Sequence, residues 1–472
     1  MGEHKTKYKL PEDLYTYQKE DAATMAKGDI RLNFSQMGVG KTPTTIAMVE
    51  DNKYDLVLVV CTNTLMLEWA RQIEEWVGKG HCVVAKGNSY TRMGPIIRSL
   101  KNREKRYKII NYEMFRSEAH YEMLSMIPFQ CVIFDEIHKL RNPKTKNVKA
   151  IWKYLNDKKK AKVIGLTGSP IMNYPNDLYA LLAVVYPDKY SRDQKSWKNF
   201  MYKYCLFSIG KHGSYVYGTQ HLDKLRKEID PLIIERKKKD VLPFLPDKYY
   251  QRVELEMSDD QRKLYNQMET ELMVLLDDGQ TLWSPGVLSK LTRLRQMNLD
   301  PKIVGVTSSA VKTEYIWETV SSTDEKVVIF SCFEKYIDLL HNIFDAMKIK
   351  NVVITGTRTS EQRTSAVKQF QEDPDTRVCL GTIQCMGEGV TLTASSTVIM
   401  ADRWWNEPTN QQAVDRLHRI GQKNAVQVIY PVCKESIDEV LDNVLQRKHE
   451  ASQQFYSEQD VKEEVFNFIH KK

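Results

Sequence analysis

Short runs of apolar, mostly β-branched residues alternate along this chain with polar stretches in which apolar residues recur at helical spacing. Uninterrupted apolar runs are typical of strands that are buried on both faces, as in a parallel sheet covered by helices. They form two series, at 54–62, 106–112, 129–136 and 162–169 in the first half and at 326–331, 351–356, 377–382, 396–402 and 426–432 in the second. The pattern predicts an α/β protein with two parallel-sheet domains in tandem and helical insertions between and on them.

From about residue 177 to residue 301 the strand pattern lapses, and tyrosine, lysine and leucine recur at helical spacing, as in residues 259–276. Prolines interrupt this stretch, as is common in linkers. We therefore predict three segments, which are a first domain at 1–235 with a helical protrusion near 177–230, a linker with a second helical protrusion at 236–310, and a second domain at 311–472.

Length and composition agree with this organisation. The chain has 472 residues, too many for one ordinary core, and its 42% hydrophobic and 28% charged residues are the balance of a soluble globular protein. No apolar run reaches the roughly 18 residues of a membrane span, and residues 1–12 lack the apolar core of a signal peptide. We therefore expect no membrane partner and a protein that stays in the compartment where it is made. The net charge of +8 is modest for this length and does not by itself establish nucleic-acid binding.

Eight cysteines are scattered along the chain without any C-x-x-C pair. Structural zinc sites need ligands paired at short spacing, so we expect no zinc. Cys131 lies inside an apolar run, where a buried free thiol is the expected state. Reduced cysteines are typical of a cytoplasmic protein.

Residues 35–42, SQMGVGKT, contain the end of a phosphate-binding loop and precede a helical stretch. Its glycines let backbone N–H groups approach phosphate oxygens, the lysine supplies a positive charge, and the threonine hydroxyl can ligate Mg²⁺. Ser35 stands in the place of the first glycine of the full pattern, so an ordinary loop stays open as an alternative until other residues support the match. The predicted ATP contacts here are Met37, Gly38, Val39, Gly40, Lys41 and Thr42.

Two adjacent carboxylates, Asp135 and Glu136, end the strand in the string VIFDEIHKL. The carboxyl edge of a parallel sheet is where open α/β folds bind ligands. We expect Asp135 to hold Mg²⁺ and Glu136 to orient and deprotonate the attacking water. An exposed acidic pair at a strand end is the alternative, and the phosphate loop makes the functional interpretation the stronger one.

The string LTGSP (166–170) follows the next strand and brings hydroxyl groups to the same edge. We expect Thr167 and Ser169, together with His138 beyond the acidic pair, to link the nucleotide site to the second domain. In isolation LTGSP would be only a turn.

Three further residues suit nucleotide chemistry only in combination with these motifs. Gln18 carries an amide that can donate to and accept from one edge of adenine, although a lone glutamine here also fits a surface helix. Arg416 and Arg419 are spaced i, i+3 in QQAVDRLHRIGQ, which predicts that both project from one side of a helix. Guanidinium groups can neutralise charge on a transferred phosphoryl group, while an ordinary basic helix is the alternative.

Over nearly its whole length, the ordered series of motifs resembles the Swi/Snf-type ATPases of helicase superfamily two. The strings that carry the resemblance are YQ (17–18), MGVGKT (37–42), VVCTNTLMLEW (59–69), FDEIHKLRN (134–142), LTGSP (166–170), VIFSCF (328–333), GEGVTL (387–392) and QAVDRLHRIGQ (412–422). TRLRQM (292–297) and WWNEP (404–408) distinguish this family from generic helicases. Departures from the family pattern are Gln36 in place of an acidic residue, Thr62, Met386 and Thr391.

The resemblance implies two RecA-like lobes that use ATP and Mg²⁺ and translocate along double-stranded DNA. It implies that Gln18 contacts adenine and that Gly387 belongs to the ATP site. It also implies that Gln412, Arg416 and Arg419 act with the acidic pair in catalysis.

In this family the track is contacted by loops that follow the strands, where hydroxyl, amide and backbone N–H groups bind phosphate oxygens without reading sequence. The candidates are Thr62, Asn63, Asn111, Tyr112, Thr382 and Gln384. Each of these loops fits a plain turn equally well.

The sequence therefore predicts a DNA-dependent ATPase that translocates on duplex DNA to remodel protein–DNA complexes or DNA structures. Two alternatives stay open: a strand-separating or branch-migrating DNA helicase, for which no wedge hairpin is recognisable, and a nucleotide-gated DNA-binding scaffold without turnover. The size of the chain favours a bacterial or phage member and hence the cytoplasm, or the nucleus for a eukaryotic source. Which protein would recruit it is left open.

Overall fold

The computed structural model describes residues 13–86, 91–143, 145–157, 160–168, 175–210, 213–277, 285–386, 390–450, 461–462 and 464–465. The chain divides into two compact units, Met1–Pro243 and Phe244–Lys472. Each unit is built on its own parallel sheet. Within the described part of the chain, no helix combines the length and the apolar character that crossing a bilayer requires.

The strands of the first unit are β1 (Leu32–Asn33), β2 (Val57–Cys61), β3 (Cys82–Val84), β4 (Tyr107–Asn111), β5 (Cys131–Asp135), β6 (Lys162–Leu166), β7 (Cys205–Gly210), β8 (Gly213–Thr219) and β9 (Ile233–Ile234). All except β7 and β8 form one parallel sheet in the order β3-β4-β2-β5-β6-β1-β9. The remaining two strands pair with each other as an antiparallel hairpin.

The helices of this unit are α1 (Thr16–Lys27), α2 (Lys41–Asp51), α3 (Met66–Trp76), α4 (Gly94–Ser99), α5 (Glu118–Met126), α6 (Lys146–Asp157), α7 (Pro175–Val185), α8 (Gln194–Tyr204), α9 (Leu222–Ile229) and α10 (Lys238–Val241). Alternate residues of a central strand pack into cores on opposite faces of the sheet. Leu58 and Val60 of β2 join the core formed with α5, α6 and α7, whereas Val57 and Val59 join the core formed with α1, α2 and α3. Burial on both faces is the reason why these strands are apolar without interruption.

The strands of the second unit are β10 (Lys248–Leu255), β11 (Val327–Ser331), β12 (Asn351–Ile354), β13 (Val378–Thr382), β14 (Thr397–Met400) and β15 (Val426–Cys433). They form one parallel sheet in the order β10-β15-β14-β11-β13-β12. The helices are α11 (Asp259–Asp277), α12 (Pro285–Leu299), α13 (Val311–Ser321), α14 (Glu334–Ala346), α15 (Ser360–Glu372), α16 (Ile383–Met386), α17 (Glu407–Val414) and α18 (Ile437–Glu450). The predicted α/β fold with two parallel-sheet lobes is confirmed.

Five strand regions have no counterpart among the apolar runs of the sequence. Three of them, β1, β3 and β9, are only two or three residues long, and the other two are the hairpin β7–β8 and the strand β10. The hairpin β7–β8 lies within the stretch that was expected to be a helical protrusion, and β10 lies within the stretch that was expected to be linker and protrusion. Residues of β10 are half-buried or exposed throughout, because this strand forms the edge of its sheet. Strands that are not buried on both faces carry no continuous apolar run, so the sequence pattern did not mark them.

Candidate functional site

The loops with the predicted chemical residues share one edge of the first sheet. Because β1, β2, β4, β5 and β6 are parallel, their carboxyl ends lie on the same side of the sheet. The loops that follow them are the phosphate loop, Thr62–Asn63, Asn111–Tyr112, Asp135–Glu136 and Thr167. The fold therefore brings the motifs of the first unit together at the edge where α/β sheets bind ligands.

The phosphate loop ends where α2 begins, at Lys41. Gly38 and Gly40 have φ angles of 81° and 84°, in the left-handed region that glycine adopts without strain. A Cβ atom at Gly40 would overlap the side-chain amide of Gln18, so this position requires glycine for space as well as for conformation. The amino end of α2 then offers backbone N–H groups and a favourable dipole to an anion.

Lys41 lies across the first part of this loop. Its Nζ donates hydrogen bonds to the carbonyl oxygen of Ser35 at 2.8 Å and to that of Gln36 at 3.2 Å. The ammonium group is thus held at the phosphate loop, where its charge is available to the outer phosphates of a nucleotide.

Gln18 is a buried part of the site rather than a surface residue of α1, since only 3% of it is exposed. Its Nε2 donates to the carbonyl oxygen of Val39 at 3.1 Å, and its Oε1 accepts from the backbone N–H of Tyr15 at 3.0 Å. The hydroxyl of Tyr17 donates to the same Val39 carbonyl at 2.8 Å, and burial raises the pKa of Tyr17 to about 12. The side-chain amide of Gln18 is therefore in direct contact with the phosphate loop.

The Asp135 carboxylate is buried and oriented by two donors. The indole Nε1 of Trp69 donates to Oδ2 at 2.7 Å, and the backbone N–H of Glu136 donates to Oδ1 at 3.0 Å. Burial raises the pKa of Asp135 above its usual range, and the neighbouring charge of Glu136 adds to the rise, whereas Trp69 and the charge of Lys41 lower it. Two adjacent buried carboxylates of this kind are suited to a bound cation.

Glu136 takes a left-handed conformation at the end of β5, with a φ angle of 52°. Its Oε2 lies 3.2 Å from Nδ1 of His138 and accepts a hydrogen bond of 3.4 Å from the Thr167 hydroxyl. His138 Nδ1 and the Thr167 hydroxyl are themselves 2.9 Å apart. The structure thus joins the predicted base to two of the three residues that were assigned to coupling.

The turn after β6 lies against the phosphate loop. A Cβ atom at Gly168 would come within 2.8 Å of Cγ of Met37 and 3.5 Å of Nζ of Lys41. Small size at Gly168 therefore allows the Thr167 turn to approach the loop. Ser169, the third coupling residue, lies outside the described residues.

Trp69 is the functional residue that the sequence reasoning missed. It belongs to α3, which follows β2, and only 1% of it is exposed. The string VVCTNTLMLEW contains it, but nothing in that string points to a carboxylate 66 residues further on. The signal that could have found it is a polar ring N–H on an otherwise apolar buried helix face, since a buried indole N–H needs an acceptor.

The predicted DNA-contacting loops of this unit differ in exposure. Asn111 Nδ2 donates to Oδ1 of Asn63 at 3.4 Å, so the loops after β4 and β2 meet. Asn63 is exposed, whereas Thr62, Asn111 and Tyr112 are buried. The Tyr112 hydroxyl donates to the carbonyl oxygen of Asp135 at 2.7 Å, which ties one of these loops to the acidic pair.

The oxygen donors at this edge fit Mg²⁺, a hard cation that prefers carboxylate, hydroxyl and phosphate oxygens. Thr42 in the first turn of α2 and Asp135 are the side chains that would hold it. Among the described residues, no group of three or more histidine, cysteine or acidic side chains forms a site that would hold a metal on protein ligands alone. A cation that also binds substrate phosphates matches this donor set.

In the second unit the structure corrects the predicted helix around Arg416 and Arg419. Helix α17 ends at Val414, and the two arginines lie on the turns that follow. The backbone N–H of Arg416 donates to the carbonyl of Ala413, three residues back, which tightens the chain beyond an α-helix.

Tertiary contacts hold this tightened segment. The Asp415 carboxylate lies 3.2 Å from Nζ of Lys248, and Nε2 of His418 lies 2.6 Å from the carbonyl oxygen of Pro246. These side-chain contacts hold the turns after α17 against the region of strand β10. Helical spacing alone therefore gave the wrong local structure for the arginines.

The two arginines occupy different environments. Arg416 is only 1% exposed, and its carbonyl accepts from the backbone N–H of Leu392 at 2.9 Å. Arg419 is half-buried, and its Nη1 donates to the carbonyl oxygen of Val390 and to the hydroxyl of Thr391, each at 3.0 Å. Arg419 is therefore the guanidinium with a more accessible surface.

The remaining predicted residues of the second unit lie near this segment or at the end of β13. Gln412 is half-buried on α17, Thr382 ends β13 and is buried, and Gln384 is exposed on the short helix α16. Gly387 lies outside the described residues.

Comparison with known proteins finds a matching family model for each half of the chain. Residues 18–303 match the family model described as SNF2-related domain, and residues 311–421 match the helicase conserved C-terminal domain. The first match alone spans more than half of the 472 residues.

Similar proteins include the DNA annealing helicase and endonuclease ZRANB3 of Bos taurus, 26% identical over 452 residues, which are 93% of this chain and 40% of that protein. An ATP-dependent helicase of Mycoplasma genitalium is 26% identical over 88% of this chain and 39% of its own length. The chain thus spans about 40% of the length of these relatives. Among solved structures, the Sulfolobus solfataricus SWI2/SNF2 ATPase core in complex with dsDNA is 25% identical, with 94% of this chain and 93% of that chain covered and a TM-score of 0.43.

The family match covers the phosphate loop, the acidic pair and the Thr167 turn, and it confirms the resemblance that the sequence motifs indicated. This chain belongs to the SNF2-related family.

Proposed function

We propose that this protein is an ATP-hydrolysing motor that moves along double-stranded DNA. The observation that carries the proposal is the set of contacts at the carboxyl edge of the first sheet. There a phosphate loop with Lys41 lies beside a buried acidic pair, whose second member contacts His138 and Thr167. Family membership and relatives described as ATP-dependent helicases support the same activity.

The chemistry follows from the positions of these side chains. Lys41 and the N–H groups at the start of α2 bind the phosphates, and Thr42 with Asp135 would hold Mg²⁺. When bound, Mg²⁺ neutralises charge on the phosphate oxygens and on the leaving group. Glu136 accepts the proton of the attacking water, and its contacts with His138 and Thr167 fix the carboxylate for that role.

The family resemblance assigns a role in the same reaction to residues of the second unit. Arg419 and Arg416 supply positive charge to the transferred phosphoryl group, with Gln412 nearby in sequence. An arginine in this role is worth about 10³–10⁵ in turnover. Of the two, Arg419 is the better candidate for direct contact, because Arg416 is almost fully buried.

DNA contacts are proposed for the loops that follow the strands. Asn63 and Gln384 are exposed, and their amides suit phosphate oxygens, which fix position without reading base sequence. Thr62 precedes Asn63 in the chain, Thr382 ends the strand before Gln384, and Asn111, at the end of β4, contacts Asn63. Tyr112 is proposed to act differently: its hydroxyl bond to the Asp135 carbonyl connects a track loop with the acidic pair.

The test is steady-state ATP hydrolysis with a panel of plain duplex, forked and single-stranded DNA and of RNA. We expect duplex DNA to stimulate hydrolysis most, and the stimulation to weaken with salt because phosphate contacts dominate the binding. Activity that RNA alone stimulates would overturn the choice of track. Measurable hydrolysis that disappears in Glu136→Gln would exclude a scaffold without turnover.

A strand-separating or branch-migrating helicase is the second candidate. The antiparallel hairpin β7–β8 favours it, since strand separation needs an element that can stand between two strands, and one relative is described as a DNA annealing helicase. Displacement of a strand from forked DNA, compared with displacement of a third strand from plain duplex, distinguishes the two functions. Activity on forks without activity on triplexes would favour the second candidate.

A further inference from the structure

The backbone that leads out of the first unit runs alongside the start of the phosphate loop. Strand β9 pairs in parallel with β1, and the pairing continues beyond both strands. The N–H of Phe34 donates to the carbonyl of Ile234 at 2.7 Å, and the N–H of Gln36 donates to the carbonyl of Arg236 at 2.9 Å. The segment from Ile234 onward is therefore hydrogen-bonded to the loop that holds the nucleotide phosphates.

Side chains of the phosphate loop add two further bonds to the same segment. The Ser35 hydroxyl accepts from the backbone N–H of Arg236 at 3.0 Å. Oε1 of Gln36 accepts from the backbone N–H of Lys238 at 2.8 Å. Lys238 begins the short helix α10 and is buried, so its N–H needs this acceptor.

These two side chains are the ones that depart from the usual loop. Ser35 stands in the place of a glycine, which has no hydroxyl to accept the Arg236 N–H. Gln36 stands in the place of an acidic residue and supplies a neutral acceptor. Both positions of the loop that contact residues 236–238 therefore carry a side-chain hydrogen-bond acceptor.

Lys41 contacts the same two residues from the other side. Its Nζ donates to the carbonyl oxygens of Ser35 and Gln36, at 2.8 Å and 3.2 Å. Phosphate oxygens compete for this ammonium group, and a lysine that turns toward them gives up these carbonyls. Phosphate binding by Lys41 therefore changes the hydrogen bonds of Ser35 and Gln36. The side chains of these two residues connect that change to residues 236–238.

An ion pair joins the segment to α1, the helix that carries Gln18. The Arg236 guanidinium forms a two-pronged contact with the Asp21 carboxylate, with Nη2 to Oδ1 at 2.6 Å and Nε to both oxygens at 3.2 Å. Asp21 is buried on α1, one turn after Gln18 and on the same face. Residues 234–238 are thus joined to the two elements of the first unit that a nucleotide would touch.

We propose that Ser35 and Gln36 are positioning residues that couple the phosphate loop to residues 234–241, the part of the first unit from which the chain passes into the second. The inference rests on the proposed ATP-driven function. Nucleotide binding changes the hold of the loop on this segment, and the segment passes the change along the chain. A static brace for the loop is the competing role, and the two roles predict different responses to nucleotide.

Hydrogen exchange of the full chain, with and without ATP and Mg²⁺, separates the two roles without requiring hydrolysis. We expect nucleotide to slow exchange in residues 37–44 and to change exchange in residues 236–241 by about fivefold or more, since a shift in the Lys238 N–H bond alters local opening. In Gln36→Leu the first response should persist and the second should disappear. The coupling would be overturned if nucleotide slowed exchange in residues 37–44 but left exchange in residues 236–241 unchanged. It would also be overturned if residues 236–241 of Gln36→Leu responded to nucleotide as fully as those of the natural protein. Protection of neither segment would overturn the ATP site itself.

Kinetics of matched variants give an independent readout. For Gln36→Leu we expect DNA-stimulated kcat to fall about tenfold, while KM for ATP stays within about threefold of that of the natural protein. The loop of this variant still binds ATP but is no longer coupled to residues 236–238. Gln36→Glu keeps an acceptor for the Lys238 N–H and should restore kcat. A rise in KM for ATP as large as the fall in kcat would show a local structural role instead. So would a Gln36→Glu variant whose kcat stays as low as that of Gln36→Leu.

The chain offers a control of the same chemistry at the opposite edge of the sheet. Oε1 of Gln130 also accepts backbone N–H bonds, from Asp55 at 2.6 Å and Leu56 at 3.2 Å, at the amino ends of β5 and β2. Gln130→Leu should leave both the exchange response and kcat unchanged. A loss in Gln130→Leu equal to that in Gln36→Leu would count against a specific path. If the unsubstituted protein shows no DNA-stimulated ATP hydrolysis, the proposed function is refuted. The hydrogen-exchange result would still decide whether the phosphate loop and residues 234–241 are coupled.

Discussion

The indole N–H of Trp69 donates a hydrogen bond of 2.7 Å to the carboxylate of Asp135, and both side chains are buried. The bond links α3, which follows the edge loop with Thr62 and Asn63, to the residue expected to hold Mg²⁺. It leaves Oδ1 to the backbone N–H of Glu136. A side chain outside the phosphate loop and the acidic strand end thus sets the orientation of the acidic pair.

Trp69→Phe should weaken the use of Mg²⁺ while keeping the fold. Phenylalanine fills most of the same space but has no donor, so the Asp135 carboxylate loses its fixed orientation. Outer partners of metal ligands are worth about 10–100-fold in metal affinity, so the Mg²⁺ concentration for half-maximal ATP hydrolysis should rise by about tenfold. Titration of hydrolysis with Mg²⁺ at saturating ATP measures this. A Mg²⁺ dependence equal to that of the natural protein would mean that the indole bond has no part in holding the metal.

Glu136→Gln and Lys41→Ala should fail at different steps. Glutamine cannot accept the proton of water, so hydrolysis should fall by about 10²–10⁴ while nucleotide binding persists. Alanine at residue 41 removes the charge that meets the phosphates, so binding itself should weaken. Equilibrium binding of a fluorescent ATP analogue, measured beside hydrolysis, separates the two outcomes. Tight nucleotide binding by Lys41→Ala would remove that lysine from the phosphate site.

Arg416→Ala and Arg419→Ala should differ in stability. Arg416 is 1% exposed, and truncation of a long buried side chain leaves a cavity that costs about 2–5 kcal/mol, so the Tm of the first variant should drop by several degrees. Arg419 is half-buried, and its guanidinium donates to the Val390 carbonyl and the Thr391 hydroxyl at the surface of the unit, so its variant should fold and bind nucleotide but lose turnover. Thermal unfolding and hydrolysis of both variants test this. Normal turnover in Arg419→Ala would remove that residue from the proposed site.

A buried lysine in β4 should make stability depend on pH in the alkaline range. Lys108 is 1% exposed, and its Nζ donates to the Ser99 hydroxyl at 2.6 Å and to the carbonyl of Lys105 at 2.5 Å. Burial, with a smaller contribution from the charge of Lys105, lowers the pKa of Lys108 to about 8. Between this pKa and the unfolded value of about 10.4, the unfolded chain binds a proton that the folded chain does not. The stability contribution of this residue therefore rises with pH.

Relative to Lys108→Met, which cannot titrate, the natural chain should gain about 2 kcal/mol of unfolding free energy from pH 8 to pH 10. Urea unfolding of both proteins across this range measures the difference, and the subtraction cancels the other groups that titrate there. Parallel pH profiles would show that the Lys108 pKa is not lowered by folding.

The sequence by itself determined the two parallel sheets and the strand ends at which the main chemistry lies. Burial on both faces makes a central strand continuously apolar, so β2, β5 and β11 could be recognised locally. The phosphate loop and the acidic pair are also local strings, because the chemistry needs neighbouring residues. Strands without two buried faces, such as β10 and the β7–β8 hairpin, leave no such signal.

Tertiary structure alone decided which distant side chains meet. Trp69 reaches Asp135 across 66 positions, and Ser35 reaches Arg236 across 201, because the strand order brings their segments side by side. Helix α17 also ends at Val414, before Arg416, although the local spacing favours a longer helix. The periodicity of a sequence reports burial along one element, whereas a hydrogen bond between elements depends on the order and direction in which the sheet assembles them.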